Sequence, residues 1–317
     1  MHVLTVIAPA FAVILTGFFA VRTGVVSRAM AEHLIRFAYF ICVPSLMFSI
    51  VARHPIEGLL GGDFWLAFGV GSVIALLALR WMPCHLLGCD GRSRAVSAMA
   101  AVVANTGFVS LPILYAVFGS EGVPPAAIAN IVIAGLMVPL CIVLLEGTAG
   151  EGTAAPSIPK QALQLLRSPM IWPALLGFGF ALLRLPVPDV AEGYLDLLGQ
   201  GLTPCALFAI GAAIRLEDVR AEASRILAVS TLKLVIVPAF VLASGLLLGL
   251  DPFLLAAAVV CAASPTANTA YVLAVQYRSQ EQSVAAAVSA TALACVVTLP
   301  LWIMLLAAIW PSLFANI

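Results

Sequence analysis

The sequence predicts an all-α polytopic membrane protein with ten transmembrane helices, arranged as two inverted repeats of five helices. Three observations support this fold class. Of the 317 residues, 63% are hydrophobic and only 9% are charged, whereas a soluble domain carries about 25% charged residues. The apolar residues fall into ten long runs. The two halves of the chain also match each other when they are aligned so that Pro169 falls on Pro9.

The ten apolar runs are long enough to cross the hydrocarbon layer, for which a helix needs about 20 residues. In chain order they are 3–21, 29–52, 63–80, 95–119, 123–146, 169–184, 190–214, 224–249, 252–277 and 282–310. The sixth run is the shortest, but its segment PMIWPALLGFGFALLR suits no other environment. A polar segment divides the chain into a first five-helix repeat at 1–146, a cytoplasmic linker at 147–167 and a second repeat at 168–317.

Matched proline, glycine, glutamate and threonine positions indicate an internal duplication. The matched pairs include Pro9 and Pro169, Gly17 and Gly177, Glu32 and Glu192, Pro44 and Pro204, and Thr106 and Thr266. Because each half has an odd number of spans, the second half enters the bilayer from the side opposite to the first. Inverted repeats of this kind are typical of secondary transporters, which use them to build two access states.

The distribution of lysine and arginine predicts the orientation of the chain. Of the 15 Lys and Arg residues, only Arg53 and Arg184 lie in loops on one side, and Lys233 lies within the eighth run. The others lie in loops on the opposite side. Because cytoplasmic loops are enriched in these residues, we expect an integral plasma (inner) membrane protein with both termini outside the cytoplasm. The net charge of zero gives no reason to expect a nucleic-acid partner.

The fourth run contains helix-breaking residues near its middle, where it reads ANTGFVSLP at residues 104–112. Pro112 cannot donate a backbone hydrogen bond to the carbonyl of Phe108, and Gly107 favours unwinding. We expect Ser110 to cap the half-helix that follows the break.

The ninth run, which is related to the fourth by the repeat, is interrupted in the same way. It reads AASPTANTAY at residues 262–271, and Pro265 leaves the carbonyl of Cys261 without a donor. Ser264 followed by a proline is typical of a helix N-cap and first helical position, so a new half-helix is expected to begin there.

Two breaks at repeat-related positions predict a substrate site near the middle of the bilayer. Irregular backbone is tolerated at this depth only where it is buried in protein or lines a water-filled cavity. Helix N-termini favour anions and carbonyl ends favour cations, which leaves the sign of the substrate open. For Asn105 by itself, a hydrogen bond between helices is an equally good explanation. The predicted substrate-binding residues are Asn105, Thr106, Gly107, Pro112, Ser264, Pro265, Thr266, Asn268 and Lys233.

Lys233 is the single strong charge well inside a run, and two interpretations of it stay open. If the eighth helix enters the membrane near Val229, Lys233 lies only about 6 Å deep, and its ammonium can snorkel to the surface. The alternative is that the ammonium faces the cavity and attracts a carboxylate.

The remaining titratable residues argue against several other classes of protein. No Asp or Glu lies near the middle of a run, whereas a sodium/proton antiporter exchanges its ions on such carboxylates. The histidines are scattered over different loops on both sides, which argues against a membrane enzyme or sensor; they are His2, His33, His54 and His85. Cys84 and Cys89 lack a second ligand pair, so no metal site is predicted.

Four segments resemble the signature segments of the auxin efflux carrier family, which includes plant auxin exporters and bacterial carriers of malonate and other carboxylates. They are FICVPSLMF (40–48), NTGFVSLPIL (105–114), LKLVIVPAF (232–240) and SPTANTAYVLAVQY (264–277). The resemblance implies that the fourth and ninth helices cross at their breaks, as in bile-acid symporters. It also implies a scaffold formed by the first, second, sixth and seventh spans and a moving, elevator-like transport domain formed by the rest. The long cytoplasmic loop of plant members is absent here, so the chain is similar to the short bacterial members and auxin is not the expected substrate.

The predicted function is secondary transport of small organic anions, mainly carboxylates, by alternating access around the two breaks. The alternative is a sodium-coupled organic-anion symporter similar to the bile-acid carriers. No cofactor is predicted, and the choice between Na+ coupling, H+ coupling and a uniport driven by the membrane potential stays open. The expected partners are the anion and the lipid bilayer, and a homodimer is left open.

Overall fold

The computed structural model describes residues 2–53, 62–79, 90–146, 169, 171–214 and 223–314. Within these ranges the chain is mainly helical, and the β pairing is limited to one isolated bridge. The predicted linker at 147–167 lies outside the described residues, as do His54 and the loop that contains Cys84 and Cys89.

Helices occupy the apolar runs predicted from the sequence. We number them α1 (His2–Arg22), α2 (Arg28–Arg53), α3 (Gly62–Leu79), α4a (Gly91–Val102), α4b (106–118), α5 (123–146), α6 (Ile171–Leu182), α7 (Asp189–Ala213), α8 (223–247), α9a (Pro252–Ala263), α9b (Asn268–Gln276) and α10 (Glu281–Ile309). The letters mark the two helices that are interrupted within a single apolar run. A short 3₁₀ turn, Pro311–Phe314, follows α10.

Length and apolar composition identify a membrane protein. Five helical stretches are individually long and apolar enough to cross a bilayer: Arg28–Arg53, Thr106–Leu145, Asp189–Ala213, Arg225–Leu247 and Glu281–Ile309. Large apolar side chains also cover the outer surface, including Val190 and Leu247, each 88% exposed. Such a surface is stable against hydrocarbon and unfavourable in water.

Four prolines lie inside continuous helices because a wider turn precedes each of them. Each proline follows a five-residue π-helical segment by two positions; the segments are Ala38–Cys42, Thr106–Ser110, Ile133–Met137 and Leu232–Ile236. In the wider turn the N–H groups bond five residues back, as Val237 does to Leu232. The proline therefore causes no break, and Pro112 lies inside α4b rather than at its start.

The core of the molecule is formed around α9a. Every residue of this helix from Leu255 to Ala263 is buried, and most of them are alanines. These small side chains let α3, α5, α8 and α10 approach α9a closely, as is usual where helices associate within a membrane.

Two helix pairs make close backbone contacts at glycines. A Cβ atom on Gly17 of α1 would lie 2.0 Å from the carbonyl oxygen of Phe208 in α7, and one on Gly177 of α6 would lie 2.9 Å from that of Phe48 in α2. Gly177 and Phe208 lie at the positions that the sequence repeat assigns to Gly17 and Phe48. The contact between α1 and α7 is thus repeated between α6 and α2.

The Gly17 contact predicts a large effect of a single methyl group. Gly17→Ala should lower the thermal unfolding midpoint of the detergent-solubilised protein by roughly 5 °C, because overpacking costs about 1–3 kcal/mol. Gly179→Ala is the matched control, since a Cβ there meets no atom within 4 Å. Equal midpoints for the two variants, measured by scanning fluorimetry, would contradict the packing described for α1 and α7.

Candidate substrate-binding site

The fourth helix is interrupted at residues 103–105, about two turns before its proline, Pro112. α4a ends at Val102, and the side-chain oxygen of Asn105 accepts a hydrogen bond from the N–H of Phe108 at 3.3 Å. Asn105 is therefore the N-cap of α4b. The prediction that Ser110 is the cap is wrong, because its hydroxyl makes no capping bond and the residue is buried inside the π-helical turn.

The ninth helix is interrupted at residues 264–267. The hydroxyl of Ser264 donates to the carbonyl of Cys261 at 2.9 Å, so Ser264 ends α9a. α9b begins at Asn268, and Ala267 precedes it without a side-chain cap. The prediction that Ser264 caps a half-helix starting at Pro265 is wrong, because residues 265–267 are extended and pair with the other break.

The two breaks cross and pair through their backbones. Ala104 and Thr266 form an antiparallel bridge. On either side of it, the N–H of Asn105 donates to the carbonyl of Pro265, and the N–H of Ala267 donates to that of Val103, each at 2.9 Å. Polar groups of both breaks are thereby satisfied inside the protein, as hydrocarbon surroundings require.

The missing N–H of Pro265 causes no loss at the crossing. In a regular antiparallel pair it would donate to the carbonyl of the residue opposite, which is Asn105. That carbonyl already accepts from the N–H groups of Val109 and Ser110 in the first turn of α4b. A proline is therefore compatible with the position.

Buried threonines connect the crossing to its surroundings. The hydroxyl of Thr266 donates to the carbonyl of Ala100 in α4a at 2.7 Å, and its N–H donates to the hydroxyl of Thr291 in α10 at 3.1 Å. In the repeat-related position, the hydroxyl of Thr106 donates to the side-chain oxygen of Asn130 in α5 at 3.0 Å. Sequence reasoning did not identify Asn130 and Thr291, because each is a polar residue within an apolar run with no motif around it.

The ammonium of Lys233 is buried at the carbonyl end of α9a. The residue is fully buried, and its ammonium donates to the carbonyl of Ala262 at 2.6 Å, in the last turn of α9a. It neither reaches the membrane surface nor lines the two cavities described below. A cation at this place is stabilised by the partial negative charge at the carbonyl end of a helix.

Two adjoining cavities lead to the crossing. A small cavity of 70 Å³ lies at the breaks, and a cavity of 380 Å³ extends from it along α2, α7, α9b and α10. Asn268 and Ser289 line both cavities. Four predicted site residues line the small cavity: Asn105, Pro265, Thr266 and Asn268. The other five, Thr106, Gly107, Pro112, Ser264 and Lys233, do not line either cavity.

The larger cavity carries charge at one end. Arg28 and Glu32, both exposed in the first turns of α2, belong to its lining, whereas the rest of its wall is mostly alanine and other apolar residues. Phe108 and Ser289, which the sequence did not single out, complete the small cavity beside Asn105. The path therefore runs from a charged mouth to a small polar end at the crossing.

An apolar helical protein with a cavity that ends at two crossed helix breaks belongs to the class of membrane transporters. The chain is a member of the Mem_trans family of membrane transport proteins, the auxin efflux carrier family, which matches residues 2–303. The family assignment made from the four sequence segments is thereby confirmed.

Similar proteins cover nearly the whole chain. An "Uncharacterized transporter" of Methanothermobacter thermautotrophicus is 26% identical over 293 residues, which are 91% of this chain and 93% of that one. A "Putative malonate transporter" of Rhizobium meliloti is 25% identical over 303 residues, 92% of each chain. The "Uncharacterized transporter YfdV" of Escherichia coli is 22% identical over 302 residues, 93% of this chain and 95% of that one.

The bond from Thr266 to Ala100 predicts a measurable contribution to stability. Thr266→Val keeps the shape of the side chain but leaves the buried carbonyl of Ala100 without this donor, so the free energy of unfolding should fall by about 1 kcal/mol. Thr266→Ser retains the hydroxyl and serves as the control. A valine variant as stable as the serine variant in thermal unfolding would show that the bond contributes nothing.

Proposed function

We propose that this protein is a secondary transporter of small organic anions, chiefly carboxylates, that works by alternating access around the crossed breaks. One observation carries the proposal: the small cavity at the crossing lies where α4b and α9b begin. Asn105 and Asn268 stand at these two helix starts, and both line the cavity. A ligand held there contacts carboxamide groups and lies close to two helix N-termini.

The difference between the two kinds of helix ends favours an anion. The carbonyl ends of α4a and α9a are occupied by donors from within the protein: Thr266 at Ala100, Lys233 at Ala262 and Ser264 at Cys261. The start of α9b, in contrast, has no side-chain cap. The partial positive charge at the start of α9b is thus a helix dipole that remains available to a ligand.

The large cavity supports access from the side predicted to be cytoplasmic. Its lining comes from the start of α2, the end of α7, the second half-helix α9b and the first part of α10. The lysine and arginine distribution predicts that all four of these segments are close to the cytoplasmic surface. On this assignment the conformation is open to the cytoplasm, and Arg28 is at the entrance.

Contacts related by the repeat support two inverted five-helix units. Gly17 packs on Phe208 as Gly177 packs on Phe48, and the bond from Asn105 to Pro265 joins repeat-related positions. We infer that α1, α2, α6 and α7 form a scaffold, because α1 packs mainly on α7 and α6 mainly on α2. The outward-open state then arises when the other helices move and the two repeats exchange conformations.

The size of the inner cavity and a relative's name indicate the class of substrate. The small volume of 70 Å³ at the crossing favours a carboxylate with few carbon atoms over a bulky amphiphile such as a bile acid. The relative from Rhizobium meliloti carries malonate in its name. Mono- and dicarboxylates of this size, malonate included, are therefore the first substrates to test.

Removing either carboxamide from the cavity should slow transport strongly. Asn105→Ala and Asn268→Ala, purified and reconstituted in liposomes, should take up radiolabelled malonate or a related carboxylate at least about tenfold more slowly than the wild type. Thr231→Ala is the control, because it removes a polar side chain from the exposed face of α8. Unaltered uptake by a folded Asn105→Ala or Asn268→Ala variant would exclude the crossing as the substrate site.

Arg28 at the mouth should act on the capture of the anion rather than on its translocation. Arg28→Gln should raise the KM for a carboxylate roughly fivefold, with little change in maximal rate, and the difference should shrink at high ionic strength because salt screens exposed charges. Arg36→Gln removes a charge from the same helix away from the cavity and should leave KM unaltered. Equal KM values for the two variants would show that Arg28 does not contribute to capture of the anion.

A further inference from the structure

The buried ammonium of Lys233 lies at the carbonyl end of α9a, close to the crossing. Lys233 is fully buried, and its Nζ atom lies 2.6 Å from the carbonyl oxygen of Ala262. Among the described residues, the ion pairs join Arg53 to Glu192 and to Asp196, and Lys233 takes part in neither. The partner that the structure shows for the ammonium is therefore a backbone oxygen at the negative end of a half-helix.

The surroundings of this ammonium consist of neutral groups at a helix end. The next carbonyl, of Ala263, lies 4.0 Å from the thiol of Cys295, and the preceding one, of Cys261, accepts from the hydroxyl of Ser264. Carbonyl ends of broken helices are the places where membrane carriers coordinate a coupling cation. Here a side chain of the same charge as Na+ occupies that place.

The charge is present in one repeat only. The repeat relates Lys233 to Val73 of α3, an apolar residue that packs against the core. The carbonyl end of α4a corresponds to that of α9a, and the donor that the structure shows there is the neutral hydroxyl of Thr266, at Ala100. The lysine is therefore not a general requirement for ending a half-helix at the crossing.

We propose that Lys233 is a tethered cation that takes the place of a coupling ion at the carbonyl end of α9a. Its consequence for transport rests on the proposed function: uptake of the organic anion proceeds without Na+ or K+. Loss of the ammonium converts the same carbonyl end into a vacant site for a small monovalent cation. A tethered cation in place of the coupling ion therefore favours transport without sodium over the sodium-symport alternative.

The first test measures stability without any substrate. The unfolding midpoint should be the same in sodium, methylammonium and N-methylglucamine chloride for three proteins: the wild type, Lys233→Arg and the repeat-related control Val73→Ala. Lys233→Ala should unfold at a lower temperature in N-methylglucamine and regain at least about 3 °C in sodium or methylammonium, because a cation that binds only the folded state raises its stability. A folded Lys233→Ala protein whose midpoint is the same in all three salts overturns the proposal.

The second test uses the wild type and so does not depend on the folding of a variant. Carboxylate uptake into liposomes should be equally fast with sodium and with N-methylglucamine on both sides, and a rate that requires sodium overturns the proposal. If the wild type carries no organic anion at all, the proposed function fails, while the thermal comparison still decides the role of Lys233. If uptake is independent of sodium but added cations do not change the unfolding midpoint of Lys233→Ala, the proposed function stands and the tethered-cation proposal is wrong.

Discussion

Two backbone hydrogen bonds, from Asn105 to Pro265 and from Ala267 to Val103, hold together the two interrupted helices at the centre of the protein. In hydrocarbon each unpaired backbone group costs several kcal/mol, so an isolated break in either helix would be unstable. Each break is stable because the other supplies its partners. The bond from Thr266 to Ala100 and the small cavity beside Asn105 both lie at this pairing.

Much of the fold could be predicted because hydrophobicity alone specifies where membrane helices lie. The apolar runs, and the two runs that are interrupted, follow from local composition. The caps did not follow: Ser264 ends a helix instead of starting one, and Asn105 has the role assigned to Ser110. Those outcomes depend on pairing between segments far apart in sequence, which the residues next to each break do not encode.

The site was predicted in part for the same reason. Asn105, Pro265, Thr266 and Asn268 line the inner cavity, and all four lie in the motifs that mark the breaks. Ser289 and Arg28 come from helices whose distance to the crossing is set by tertiary packing. Lys233 was recognised as exceptional because a charge in an apolar run is costly, but its bond to Ala262 could be seen only in three dimensions.

The use of backbone groups at the crossing has a consequence for how proteins of this kind diversify. Main-chain hydrogen bonds do not depend on side-chain identity, so residues such as Phe108, Asn268 and Ser289 are free to change while the framework persists. On the proposed function, a new cargo then requires only a few substitutions around an unchanged backbone. Relatives that share only about a quarter of their residues still match over nearly the full chain, as expected where a backbone framework is retained while side chains change.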